Sequence, residues 1–123
     1  MNGIFTGYKS QIWKLLSIKV KDSFFGSLEV VEPKVVLQLA VKEPWFSMIV
    51  SGEKKEEYRE IKDYWTKRFN GGKRYTHVLF VNGYGANRPR IEKEINDIRI
   101  GKPKEGWCPN EFLGKEYYVI EVK

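Results

Sequence analysis

The 123 residues carry 22 Lys+Arg against 16 Asp+Glu, a formal net charge of +6, with 41% hydrophobic and 15% aromatic side chains. That is the length of a single domain with enough apolar surface to offset the entropy of ordering it, which excludes wholesale disorder and a two-domain enzyme with its own cofactor module. One cysteine, Cys108, and one histidine, His77, exclude a disulfide framework within the chain, a cysteine-rich zinc knuckle and a multi-histidine metal centre.

In chain order, residues 1–34 form a weakly patterned leader, with Gln11 to Val20 as a short helix and Phe24 to Val31 as a strand. Pro33 marks a boundary, because proline interrupts sheet pairing and restricts the residue before it. The domain proper runs from 35 to 123. Val35, Leu37, Leu39 and Val41 alternate with Val36, Gln38 and Ala40, the signature of a largely buried strand. Pro44 suits a helix N-terminus, with Trp45, Met48 and Ile49 on one face and Gly52 just past its end. Over Glu53 to Phe69, propensity alone predicts one helix, with Tyr58, Ile61, Trp65 and Phe69 as its stripe. His77 to Asn82 reads as a buried strand ended by Gly83-Tyr84-Gly85. Ile91 to Ile100 fits a helix through Ile91, Ile95 and Ile98, or a strand through Ile98 and Ile100. Tyr117 to Val122 is a closing strand with Tyr118, Ile120 and Val122 on one face. Short strands with few helices predict an α+β, mainly β, antiparallel barrel or sandwich.

The charge is spread as +2 over residues 1–34, +1 over 35–70 and +3 over 71–123, so no disordered basic arm is indicated. Three stretches lack acids: Lys67, Arg68, Lys73 and Arg74; Arg88 and Arg90; and Arg99, Lys102 and Lys104. Aromatic residues lie near each. Cations interleaved with rings suit phosphates and unpaired bases, and solvated loop charge is the competing explanation. No apolar run approaches the roughly 20 residues of a membrane span, and the first residues lack the order of a signal peptide. A cytoplasmic protein with no membrane partner, no cofactor and no metal site is expected.

The run Gly52-Glu53-Lys54-Lys55-Glu56-Glu57-Tyr58-Arg59 resembles the Gly-x-Lys-x-x-Glu-x-Arg signature of the ASCH domain, within the PUA-like superfamily. It sits behind a strand and a short helix, as in that family. The resemblance covers about residues 35–123. It implies a PUA-like antiparallel β-barrel with two or three short flanking helices. It also implies that Lys55 to Glu60 is a strand, with a helix starting near Lys62 or Asp63. Glu57 and Arg59 would then share a strand face, with Lys54 in the preceding turn aiming into the same cleft.

What the resemblance implies about function is an RNA- or nucleotide-binding cleft. Lys54, Glu57 and Arg59 are its candidate centre, Arg88 and Arg90 its outlying phosphate contacts, and Trp107 an exposed stacking ring. An enzyme on the same scaffold stays open, a ribonuclease or an amidohydrolase on a modified nucleoside, with Lys54 and Glu57 as catalytic groups. In the amidohydrolase branch a threonine stands three residues after the motif lysine. Here that position is Glu57, which offers no hydroxyl, so that chemistry does not carry over. A protein-interaction domain is the third alternative.

Overall fold

The computed structural model describes residues 18–22, 27–30 and 33–123. Strands β1 (Ile18–Asp22) and β2 (Ser27–Val30) pair antiparallel with each other. Ile18 to Val20, expected at the end of a helix, therefore lie in a strand, and residues 11–17 fall outside the described set. The period-two alternation of Ile18 and Val20 with Lys19 and Lys21 accounts for the correction, since β-branched residues at that spacing favour extended chain.

The domain from 33 to 123 is a small α+β unit. Its elements are β3 (Val36–Ala40), α1 (Trp45–Ser51), β4 (Glu56–Arg59), α2 (Asp63–Asn70), β5 (His77–Val81), β6 (Arg90–Gly101) and β7 (Tyr117–Val122). Five strands form one mixed sheet in the order β3-β5-β6-β7-β4. The all-antiparallel expectation needs correcting, because β3 runs parallel to β5, from Val36↔His77 to Ala40↔Val81. Parallel neighbours require a long crossover, and the α1–β4–α2 segment supplies it. The sheet has two edges, β3 and β4, so its hydrogen-bonded ladder is not a closed barrel.

Local chemistry explains the boundaries. Gly52 ends α1 in the left-handed region, at φ 87°, and its N–H returns to the Ile49 carbonyl. Where propensity alone predicts one helix over 53–69, the chain is extended through β4 and turns helical at Asp63. Tyr58 is buried against Val119, Tyr117 and Cys108, so packing of one strand face outweighs helix preference. In β6 the pairing slips between Ile95 and Asp97, a bulge at Asn96.

The main core gathers Leu37, Leu39, Val78, Phe80, Ile95, Ile98, Tyr118 and Ile120 from the sheet with Phe46 and Ile49 of α1 and Phe69 of α2. On the other face of β4 and β7, the segment between β6 and β7 covers a smaller cluster of Tyr58, Cys108, Tyr117 and Val119. Two layers thus hold β4, and its flanks decide where its charges go. No helix among the described residues is long and apolar enough to cross a membrane.

Candidate functional site

Strand β4 presents its side chains alternately. Glu57 and Arg59 point to one side, where the Arg59 Nη2 donates to Glu57 Oε2 at 2.8 Å and to the Ala40 carbonyl at 2.7 Å. Arg59 therefore reaches from one sheet edge to the other. Its guanidinium also lies 5.5 Å from the centre of the Trp65 ring, which fixes its plane. Glu56 and Tyr58 face the opposite way, and the Tyr58 hydroxyl donates to Glu56 Oε1 at 2.8 Å while accepting the Lys104 N–H at 3.1 Å. Burial pushes the Tyr58 pKa well up, so this hydroxyl stays protonated.

A cleft of about 410 Å³ opens between the two sheet edges. Ala40 and Val41 at the end of β3 form one side and Glu57, Tyr58 and Arg59 the other. Trp45 from the start of α1, Gly83 and Tyr84 from the β5–β6 loop, and Trp107 to Pro109 complete it with Phe112. Its charged lining is balanced, Lys42 and Arg59 against Glu57 and Glu111.

Lys54 needs a correction. Rather than aiming into the cleft, it is buried to 1% exposure and does not line it. Its ammonium donates to the carbonyls of Glu56 and of Trp107, the latter at 2.6 Å, and pairs with Glu57 Oε1 at 3.3 Å. Three donors meet three acceptors, so the group is satisfied within the protein. The Tyr58 ring lies 4.6 Å from Lys54 Nζ as a further cation–π partner. Burial lowers the Lys54 pKa, against the opposing pull of the Glu57 carboxylate. Lys54 thus acts as a positioning residue, tying the Trp107 segment to β4 and holding one oxygen of Glu57 while Arg59 holds the other.

Compared with known protein families, curated proteins and solved structures, the chain matches none of them.

The remaining sequence-predicted residues divide. Trp107 lines the cleft, half-buried, with Lys104 Nζ 4.1 Å from its ring centre. Arg88 and Arg90 do not line it, and some of their donors serve their own loop. Arg88 Nε bonds the Asn82 carbonyl at 2.6 Å, and Arg90 Nη2 bonds the carbonyls of Gly85 and Ala86 at 2.9 and 3.0 Å. Both stand exposed outside the cleft. His77 Nδ1 pairs with the Thr76 hydroxyl at 2.8 Å. Cys108 is buried, its thiol pushed up by burial and bonded to the Lys104 carbonyl. Among the described residues no group of three or more His, Cys, Asp or Glu could hold a metal ion.

Two lining residues escape the sequence reading, and a third does not. Trp45 reads as core from its helical spacing, yet it is only half-buried and forms a wall. Phe112 lies in a short 3₁₀ turn with no periodic signal. Tyr84 stands 88% exposed at the cleft rim. In the sequence it is the aromatic residue near Arg88 and Arg90, set between two glycines.

Proposed function

We propose that this domain binds an unpaired nucleobase, of RNA or of a nucleotide, on an ASCH-like scaffold of PUA-like barrel type. The observation that carries the reading is the character of the cleft lining. Aromatic walls from Trp45, Trp107 and Phe112 stand around a Glu57–Arg59 pair whose charges offset. Rings offer stacking to any base, and a carboxylate beside a guanidinium offers both acceptors and donors to a base edge. A phosphate would call instead for an excess of cations. The volume of about 410 Å³ falls within the usual span of small-molecule sites. The Arg59 bond to Ala40 across the two sheet edges supports the barrel reading, since it joins by a side chain what a closed barrel joins by its ladder.

Lys54 favours binding over turnover. A lysine that stabilises charge at phosphorus must present its ammonium to substrate, whereas here every donor is engaged within the protein.

Titration of the protein with the four ribonucleosides and their 5′-monophosphates, followed by tryptophan fluorescence, tests the reading. Saturable quenching is expected, weakened at least ten-fold in Arg59→Met with the circular dichroism spectrum retained. Absence of any response to nucleosides, nucleotides and single-stranded oligonucleotides overturns it.

A further inference from the structure

Tyr84 is the most exposed large apolar side chain among the described residues, at 88%, where the next, Tyr64, reaches 57%. An isolated exposed ring is ordinary on a surface. This one is unusual in its mounting. Gly83 and Gly85 on either side both hold positive φ, 91° and 115°. A Cβ at Gly83 would meet Arg88 Nε at 3.0 Å, so the guanidinium lies directly against the loop backbone. Arg88 and Arg90 then clamp the carbonyls of Asn82, Gly85 and Ala86, and the Asn82 N–H closes on the Pro89 carbonyl at 2.8 Å. Two arginines are thus spent on holding a loop whose tip offers one bare ring at the rim of the cleft.

Lys42 lines the cleft, and neither it nor Lys104 has a carboxylate within ion-pair distance among the described residues. Lys104 Nζ lies 4.1 Å from the centre of the Trp107 ring, which lines the cleft. Unpaired cations beside the opening suit a backbone that continues past the bound base.

We infer that Tyr84 is a second stacking platform, so that the ligand is a single-stranded oligonucleotide of at least two nucleotides, one base in the cleft and its neighbour on the Tyr84 ring. The inference rests on the reading of the cleft as a base site and names the class of ligand it takes. A pre-set ring gains stacking without the entropy of ordering a flexible loop, which is the use of the arginine clamp.

Binding of AMP and UMP and of the single-stranded pentamers rA5 and rU5 to wild type, Tyr84→Ala and Tyr84→Phe tests this, with deoxyribose pentamers as a separate arm for sugar preference. For wild type, the pentamer is expected to bind at least ten-fold more tightly than the matching monophosphate. Tyr84→Ala should lose about ten-fold in pentamer affinity and a clearly smaller factor in monophosphate affinity, since the ring stands at the rim of the cleft, and Tyr84→Phe should keep both. An equal loss for monophosphate and pentamer would make Tyr84 a wall of the first base site and overturn the second platform. Unchanged pentamer affinity in Tyr84→Ala overturns it as well. Wild-type protein that binds monophosphates but no pentamer refutes the inference alone, and protein that binds neither refutes the cleft reading with it.

Discussion

Replacing Lys54 by methionine tests the role assigned to its ammonium. Methionine keeps most of the unbranched stem, so the cavity contribution is small and the loss is chiefly polar. The substitution strips donors from the Glu56 carbonyl, from the Trp107 carbonyl at 2.6 Å and from Glu57 Oε1 at 3.3 Å. A buried acceptor left without a donor costs about 1–3 kcal/mol, and Glu57 is partly protected by its remaining bond to Arg59. Against the sum stands the desolvation of a fully buried ammonium, which the variant no longer bears. The two carbonyls together cost about 2–6 kcal/mol, the relief removes part of it, and the balance is a loss of about 2–4 kcal/mol. For a domain near 100 residues that lowers Tm by about 10–25 °C. Urea titration and thermal melting by circular dichroism measure it. A variant within about 0.5 kcal/mol of wild type, or more stable, would mean that burying the charge costs as much as its three bonds return. The structural role assigned to Lys54 would then be refuted.

Two further outcomes follow from the ionic groups. Burial holds the folded-state pKa of Lys54 below 10.5, so between that lowered value and 10.5 the unfolded chain binds more protons than the native one. Wild-type stability relative to Lys54→Met should therefore rise with pH across this alkaline window, and a flat or falling difference in paired urea titrations contradicts the burial. Arg99 bridges Glu56 at 2.8 Å and Glu121 at 2.6 Å, two like charges directly opposite each other on β4 and β7. Arg99→Met should cost about 1 kcal/mol near pH 7, the low figure reflecting its partial exposure, and less in high salt. Bonds from Asn96 and then Arg99 hold the Glu121 carboxyl below 4.5. Its contribution is present above the ordinary value and fades as pH falls through the lowered one, so the Arg99→Met deficit should shrink in acid.

The strand, helix and glycine from Val36 to Gly52 were legible because each step rests on near neighbours, the alternation in β3 and the stop at Gly52. Local propensity instead predicts helix over β4, and its extended reading came only from the motif's resemblance. The motif residues were harder to place in space. Lys54 meets a carbonyl 53 positions away, and no local pattern carries that distance. Arg88 and Arg90 read as outlying cations, and composition does not show that their loop turns carbonyls onto them. Trp45 has the spacing of a core residue, and only the path of the 107–112 segment leaves one of its faces in a cleft. The crossover that makes β3 and β5 parallel is likewise a property of the whole chain path.

The bulge in β6 governs more than its own ladder. Ile95 faces the core, and under strict alternation Asp97 and Arg99 would follow it inward. One extra residue at Asn96 reverses the parity, so Ile98 enters the core while Arg99 turns out to bridge Glu56 and Glu121. The same step hands the strand over, since residues 90–94 pair with β5 and 95–101 with β7. The isoleucine spacing that imitates a helix in the sequence is the written trace of that reversal. Deleting Asn96 alone would leave Ile95, Asp97, Ile98 and Arg99 in plain alternation, so the bulge would vanish while Ile98 stayed in the core and Arg99 stayed outside it.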